Sequence, residues 1–598
     1  MTIPISGWRR CAALVLSVLA VGIVWPGAAQ ERRIGDFFRT FTDEWVRMNP
    51  NLATSVRYFS GPEQDGLETQ LTPQTRDWRR RRVALARRGL ADLKTFDRAR
   101  LTDAERLSAD VMEWQLGVVV DGEQYGDFFF PLDQFGGANV DLVSALTVVH
   151  PLLTEKDATN YIARLGQVKA RMEEATTEAL RLAEQRRVPP RFIFTVTLAQ
   201  MEQFVSAAPA QNPFVTAFAE RMAAIPGLSP ARRDELRAAA ERITATEVYP
   251  AWRNAIDVMK GLSGRTTDDA GLWRLPGGAD AYAYNLRRFT TLGLSADEIH
   301  QIGLREVARL EAEMDAILRE LGRTTGSVTD RIAALEKDLG YPLTEAGRAH
   351  IMADIERIMR DAERRAASAF DRVPRAPVEA RPFPRFREAA AAGSYTAPSP
   401  DGSRPGTFQI PLRPSYMTRF GLRTLVYHET VPGHHFQIAL ELENTANPRF
   451  RQIRALGGIP ALSEGWGLYA ERLAAESGWY KDDLEGRLGQ LDGALFRARR
   501  LVVDTGLHAK RWTRQQAIDY GIEASEIDRY VVNPGQACAY MLGQLKIVEL
   551  RDKARRALGS RFSLKAFHNT VLMTGTVPLP ILERQVDAYI QSAGGTLR

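Results

Sequence analysis

Cysteine is almost missing from this chain. Of 598 residues only Cys11 and Cys538 carry a thiol, and Cys11 lies in a segment with the pattern of a removable leader. No disulfide can then form within the mature chain, and stability has to come from a large apolar core. Long hydrophobic runs are missing too. After residue 30 nothing approaches the 18 or more apolar residues of a membrane-spanning helix. Charge of one sign is also absent, with 79 basic against 73 acidic residues and a net charge of +6, a balance that argues against nucleic acid as a partner. No fixed-period repeat appears, and no alternation of strands with helices suggests a dinucleotide-binding sheet. Absent last is the H-E-x-x-H spacing by which zinc hydrolases present two imidazoles on one helix.

What is present begins with the leader. Arg9-Arg10 precede the apolar stretch Cys11–Trp25, and Pro26-Gly-Ala-Ala29 follows, the layout of a signal peptide cleaved after Ala29. The paired arginines permit a twin-arginine route as well as general secretion. Cys11 lacks the small-residue surroundings of a lipoprotein cysteine. The expectation is a periplasmic or secreted protein, without membrane attachment after cleavage, whose net charge falls by two when Arg9 and Arg10 leave.

The rest reads as mostly α-helical. Apolar residues at i, i+3, i+4, i+7 mark helices over 35–58, 74–97, 101–120, 155–187, 228–262, 295–322, 328–338 and 343–370. Ser295-Ala-Asp-Glu298 fits a capping box, and Gly322, Gly340 and Pro189-Pro190 mark stops. At this length two or more lobes are expected. The one basic cluster, Arg79-Arg-Arg-Arg82 with Arg87-Arg88, reads as a solvated helix face, with anion binding as the alternative. The exception to helix is 380–413, where turn residues separate two short extended pieces. Pro411 in the second, Thr407–Leu412, demotes it to an edge strand, which could hold a peptide by strand addition or be an ordinary connection.

The densest chemistry is Leu425-Val-Tyr-His-Glu-Thr-Val-Pro-Gly-His-His-Phe-Gln437, which holds three of the eight histidines. On a straight helix i+6 falls about 120° off the face of i, and i+7 lies roughly 10 Å along the axis, so neither His434 nor His435 could share an ion with His428. Pro432 removes an amide and clashes with the carbonyl of His428, and Gly433 supplies flexibility. Two residues bulged out there would carry His434 to where i+4 normally lies. His428 and His434 are therefore the candidate ligands of one Zn2+ and Glu429 the general base, with His435 the competing second ligand. Downstream, Pro460 opens a helix that places Glu464 and Glu471 on one side among apolar residues. Glu464 is the candidate third ligand, and Glu471 a carboxylate that orients an imidazole.

These motifs resemble the nearly all-helical gluzincin metallopeptidases, the thimet oligopeptidase, angiotensin-converting enzyme and M32 carboxypeptidase groups, in which H-E-x-G-H is followed by a helix with a glutamate ligand and a second acid seven residues on. Ala539-Tyr-Met-Leu-Gly-Gln-Leu545 is similar to the M32 stretch that holds a catalytic tyrosine, which implies that role for Tyr540. The chain is closest to the bacterial DUF885 family, with which it shares Tyr427–Gln437, Ser463–Glu471, Val503–His508 and Asn533–Ala537. The resemblance implies a single catalytic domain over 30–598, two-lobed with a deep central channel and a small β element near the site. Residues to about 380 would form the channel walls and 381–598 the zinc-binding part. It implies a secreted zinc peptidase acting on oligopeptides. His508 is a candidate second oxyanion donor, Tyr530 a weaker candidate of Tyr540's kind, and Arg497, Arg499 and Arg500 candidates for holding a substrate carboxylate. Hydrolysis of another amide, such as a cell-wall peptide or an acylated amino acid, and non-catalytic peptide binding in the periplasm are the alternatives.

Overall fold

The computed structural model describes residues 33–383, 388, 392–399, 402, 404–413 and 417–594; the expected leader, with Cys11, lies outside them. The protein is mostly α-helical with one small β-sheet. Local sequence accounts for many helix boundaries. Ile34–Arg47 buries Ile34, Phe37, Phe38, Phe41 and Trp45, the spacing of one helical stripe. Ser295 receives the Glu298 amide and the Glu298 carboxylate returns to the Ser295 amide, closing the capping box that opens the Ala296–Glu320 helix.

Two expected long helices are each divided. Residues 35–58 form Ile34–Arg47 and Pro50–Val56, because Asn49 caps a new start with its side chain on the Leu52 amide and Pro50 takes the first turn. The 155–187 stretch breaks between Leu165 and Val168. No helix among the described residues is long and apolar enough to cross a membrane.

The apolar cores do not follow chain order. Residues between Leu132 and Leu262, with Leu71, make a core of their own. The N-terminal helices up to Leu116 instead share a core with residues from Tyr341 to Ile590. A boundary near residue 380 is therefore crossed by packing.

The sheet has the order β1 (Val378–Pro382), β3 (Gly406–Ile410), β2 (Ser394–Thr396), with β1 parallel and β2 antiparallel to β3. This corrects the reading of the Thr407–Leu412 piece as an edge. β3 is central, and Phe408 and Ile410 are fully buried. The strand ends at Ile410, so Pro411 removes no ladder donor and carries no information about the edge.

Candidate metal centre

His428 and Glu429 are the last two residues of the Arg419–Glu429 helix. The chain then leaves helical geometry at Thr430 and resumes it at His434, the first residue of His434–Glu443. The expected bulge is thus a complete break, with a cis Val431–Pro432 peptide. Trp466 Nε1 donates to the Pro432 carbonyl at 2.9 Å and pins the loop to the Pro460–Glu476 helix. Gly433 packs so tightly that a Cβ there would lie 1.9 Å from the His428 carbonyl oxygen, so no larger residue fits.

That break brings His434 beside His428. His428 Nε2 lies 3.5 Å and His434 Nε2 3.3 Å from Glu464 Oε2, and the three ligand atoms are all within 4.8 Å of one another. Two ligands about 2.0–2.1 Å from a tetrahedral ion stand about 3.4 Å apart. The spacing fits one cation, and two imidazole nitrogens with one carboxylate oxygen form a donor set for a divalent transition metal. On its far side His428 Nδ1 is 2.7 Å from Glu471 Oε1, which leaves Nε2 free to face Glu464.

Burial opposes a charge on His428, but Glu464 and Glu471 flanking it push its pKa up to about 10. Burial likewise opposes ionisation of Glu464, yet His434 and His428 hold it well below the usual carboxylate range. Glu429, beside His428, adds to the negative field there and is itself buried.

His435 is not brought to this cluster. Its Nδ1 is 3.0 Å from Tyr395 Oη on β2, and burial lowers its pKa to about 4. The alternative of His435 as ligand is corrected accordingly: one residue further round the helix turns its ring to the sheet.

Further candidates divide. Tyr540 is the second residue of Ala539–Leu558, a helix that crosses Pro460–Glu476 in near backbone contact, Gly543 against Ala461 and Gly465. Tyr540 stands one turn before that crossing, with the Arg500 guanidinium 4.6 Å over its ring. Leu484–Ala509 runs beside the histidine helix, where a Cβ on Gly493 would lie 3.6 Å from Glu471 Oε2 and 3.8 Å from Thr424 Cγ2. Arg497, one turn on, hydrogen-bonds the Gly493 carbonyl at 3.0 Å and has no carboxylate partner among the described residues.

Arg499 and Arg500 are corrected as substrate candidates. Arg499 reaches Glu311 at 3.1 Å, and Arg500 reaches Glu526 and Tyr530 Oη, each at 2.9 Å. Tyr530 donates to Glu526 at 2.8 Å, so its hydroxyl is committed as well. His508 is also corrected. It lies 15 residues past Gly493, about 22 Å along the helix. Its Nδ1 accepts from the Leu272 amide at 3.1 Å and its Nε2 faces the Tyr530 carbonyl at 3.0 Å, an arrangement that fixes a neutral ring in the core.

Residues without chemistry of their own complete the site. A Cβ on Gly467 would lie 2.7 Å from His428 Cε1, so this glycine gives the imidazole its room. Gly467, like Gly465, sits inside a helix where glycine costs about 1 kcal/mol, and that cost was the available signal for it.

Fold and site together define a mostly helical protein with a candidate two-histidine, one-glutamate metal centre. The chain belongs to the DUF885 family, bacterial proteins of unknown function, whose model matches residues 50–586. It is similar to the crystal structure of a candidate lipoprotein from Colwellia psychrerythraea, at 32% identity and a TM-score of 0.88, over 94% of this chain and 99% of that one. A candidate lipoprotein of unknown function from Shewanella oneidensis shares the fold at 19% identity and a TM-score of 0.68, over 92% of this chain and 99% of that one. No curated protein matches.

Proposed function

We propose that the protein is an exported zinc-dependent peptidase that hydrolyses peptide bonds in oligopeptides. The observation that carries this reading is the convergence of His428 Nε2, His434 Nε2 and Glu464 Oε2 within 4.8 Å, with the Glu429 carboxylate on the same final helical turn as His428. Bound by these three ligands, zinc would polarise a carbonyl and make a water acidic enough to react near neutral pH.

The chain's own residues do the rest. Glu429 takes the proton of the attacking water and returns it to the departing amine. Tyr540 supplies a hydrogen bond to the developing oxyanion; its hydroxyl has no hydrogen-bond partner among the described residues. Glu471 holds the His428 ring in one tautomer and orientation. Arg497 is free to receive a substrate carboxylate. β2 is the sheet edge tied to the histidines, through Tyr395 and His435, and an extended peptide would add there. The order of motifs along the chain, shared with the helical gluzincins, supports peptide bonds as the target. The leader pattern of residues 1–29, and the description of the Colwellia protein as a candidate lipoprotein, support export.

Metal analysis and cleavage profiling of one purified sample test the reading. About one zinc per chain is expected, with cleavage in a mixed peptide library that a chelator abolishes and added zinc restores. Absence of stoichiometric metal, or cleavage indifferent to the chelator, would refute it.

A further inference from the structure

Of the six arginines in the basic cluster, five face carboxylates. Arg79 pairs with Glu178, Arg87 with Glu123 and Arg88 with Glu44, while Arg81 and Arg80 reach Asp77 at 3.0 and 3.9 Å. Arg82 differs. Its guanidinium turns inward, 4.5 Å over the Trp45 ring and 5.4 Å from that of Trp78, with no hydrogen bond or ion pair to any described residue.

Across from it Arg288, on the Gly278–Thr290 helix, is in the same condition. It lies 4.7 Å over Phe289 and 5.9 Å from Phe129, again with no carboxylate. Burial lowers the pKa of both groups, and the charge of Arg288 lowers that of Arg82 further, so two cations are held close together.

Both line one cavity of about 670 Å³, a volume that suits a small organic ligand. Its carboxylates are already taken: Asp127 by Arg181 at 2.6 Å and Glu123 by Arg87. Arg76, which has no ion pair among the described residues, adds positive charge to the lining. Trp114 and Phe129 give it an apolar wall. Gly457, Gly458 and Pro460 close one side, where the 17-residue Pro460–Glu476 helix begins and its dipole favours an anion. Two adjacent guanidinium groups with no carboxylate partner are a cost to the fold; an oxyanion bridging them would offset it.

We propose that this cavity binds a small organic anion, its carboxylate or phosphate group held between Arg82 and Arg288 and its aromatic or apolar body against Trp114 and Phe129. None of the candidate metal ligands lines the cavity, so the proposal does not rest on the hydrolase reading. Glu464 follows Pro460 by four residues, and an occupant would therefore brace the start of the helix that carries it.

Calorimetric titration of the full chain with 2-naphthoate, phenyl phosphate and neutral 2-naphthamide tests this. At least one of the two anions should bind, its preference showing which oxyanion the site takes. The amide should bind at least tenfold more weakly. Arg288→Gln and Arg82→Gln should each weaken the anion tenfold or more, and Arg82→Lys by less, because charge is retained without the planar fork. Should Arg82→Gln fail to fold because its stacking is lost, Arg288→Gln, checked by its melting curve, carries the comparison. Failure of both anions to bind, or equal binding by wild type and a folded Arg288→Gln protein, overturns the proposal.

Discussion

Glu429 and Glu464 both carry carboxylates beside His428, and the proposed mechanism assigns them roles that one experiment separates. A base that moves a proton contributes about 10²–10⁴ in rate and nothing to metal affinity, whereas a ligand contributes to both. Glu429→Gln should keep close to one zinc per chain and lose hydrolysis by that factor. Glu464→Ala should lose the zinc itself, as elemental analysis would read. Near-wild-type turnover in the first variant, or a full zinc complement in the second, would remove that residue from its role. At this scale the sequence was most informative where chemistry is local. The approach of His434 to His428 could be read from spacing and the Pro432-Gly433 interruption, and that of Glu464 and Glu471 from a shared helix face. His508, Arg499, Arg500 and Tyr530 carry the same kinds of functional group, yet each is committed to a partner distant in sequence: Leu272, Glu311, Glu526 and Arg500. Only the fold could show that.

Between elements, backbone contact sets the site. The glycine at 467 lets the Pro460–Glu476 helix pass directly behind the His428 ring, which cannot retreat because Glu471 holds Nδ1 at 2.7 Å. On an exposed helix Gly→Ala gains about 1 kcal/mol. Here the methyl group would collide with the imidazole at 2.7 Å, and overpacking of this kind costs about 1–3 kcal/mol. The overpacking offsets or exceeds the gain, by about 0–2 kcal/mol, while the ring is displaced from its ligand position. Gly467→Ala should therefore remain folded by circular dichroism and bind zinc at least tenfold more weakly in competition with a chromophoric chelator. Affinity within twofold of wild type would show that His428 is not held from behind. Periodicity revealed these helices but not their crossings. The same limit explains β3: its sequence reads as a short, proline-ended strand, and its central place follows only from β1 and β2 closing on both sides.

The whole molecule couples site and stability through pH. His150, His435, His508 and His568 are each lowered to about 4, principally by burial, against about 6.5 in an unfolded chain. Between those values the unfolded state binds more protons, so this contribution is present above pH 6.5 and lost as pH falls. Asp141 and Asp504, raised by burial to about 6 and 7, act in the opposite sense and offset part of this acid sensitivity. His428, raised to about 10, works on the alkaline side: its contribution is complete below pH 6.5 and lost as pH rises toward 10. Without metal, stability should peak near pH 6.5 and fall in both directions. Zinc binding takes the place of the His428 proton, so excess zinc should flatten the alkaline fall and leave the acid fall between pH 6 and 4.5 in place. Calorimetric melting temperatures from pH 4.5 to 9.5, with chelator and with zinc, measure both limbs. An alkaline limb identical in the two series would mean that His428 keeps its proton and holds no ion; a flat acid limb would mean that the four buried rings do not govern acid lability.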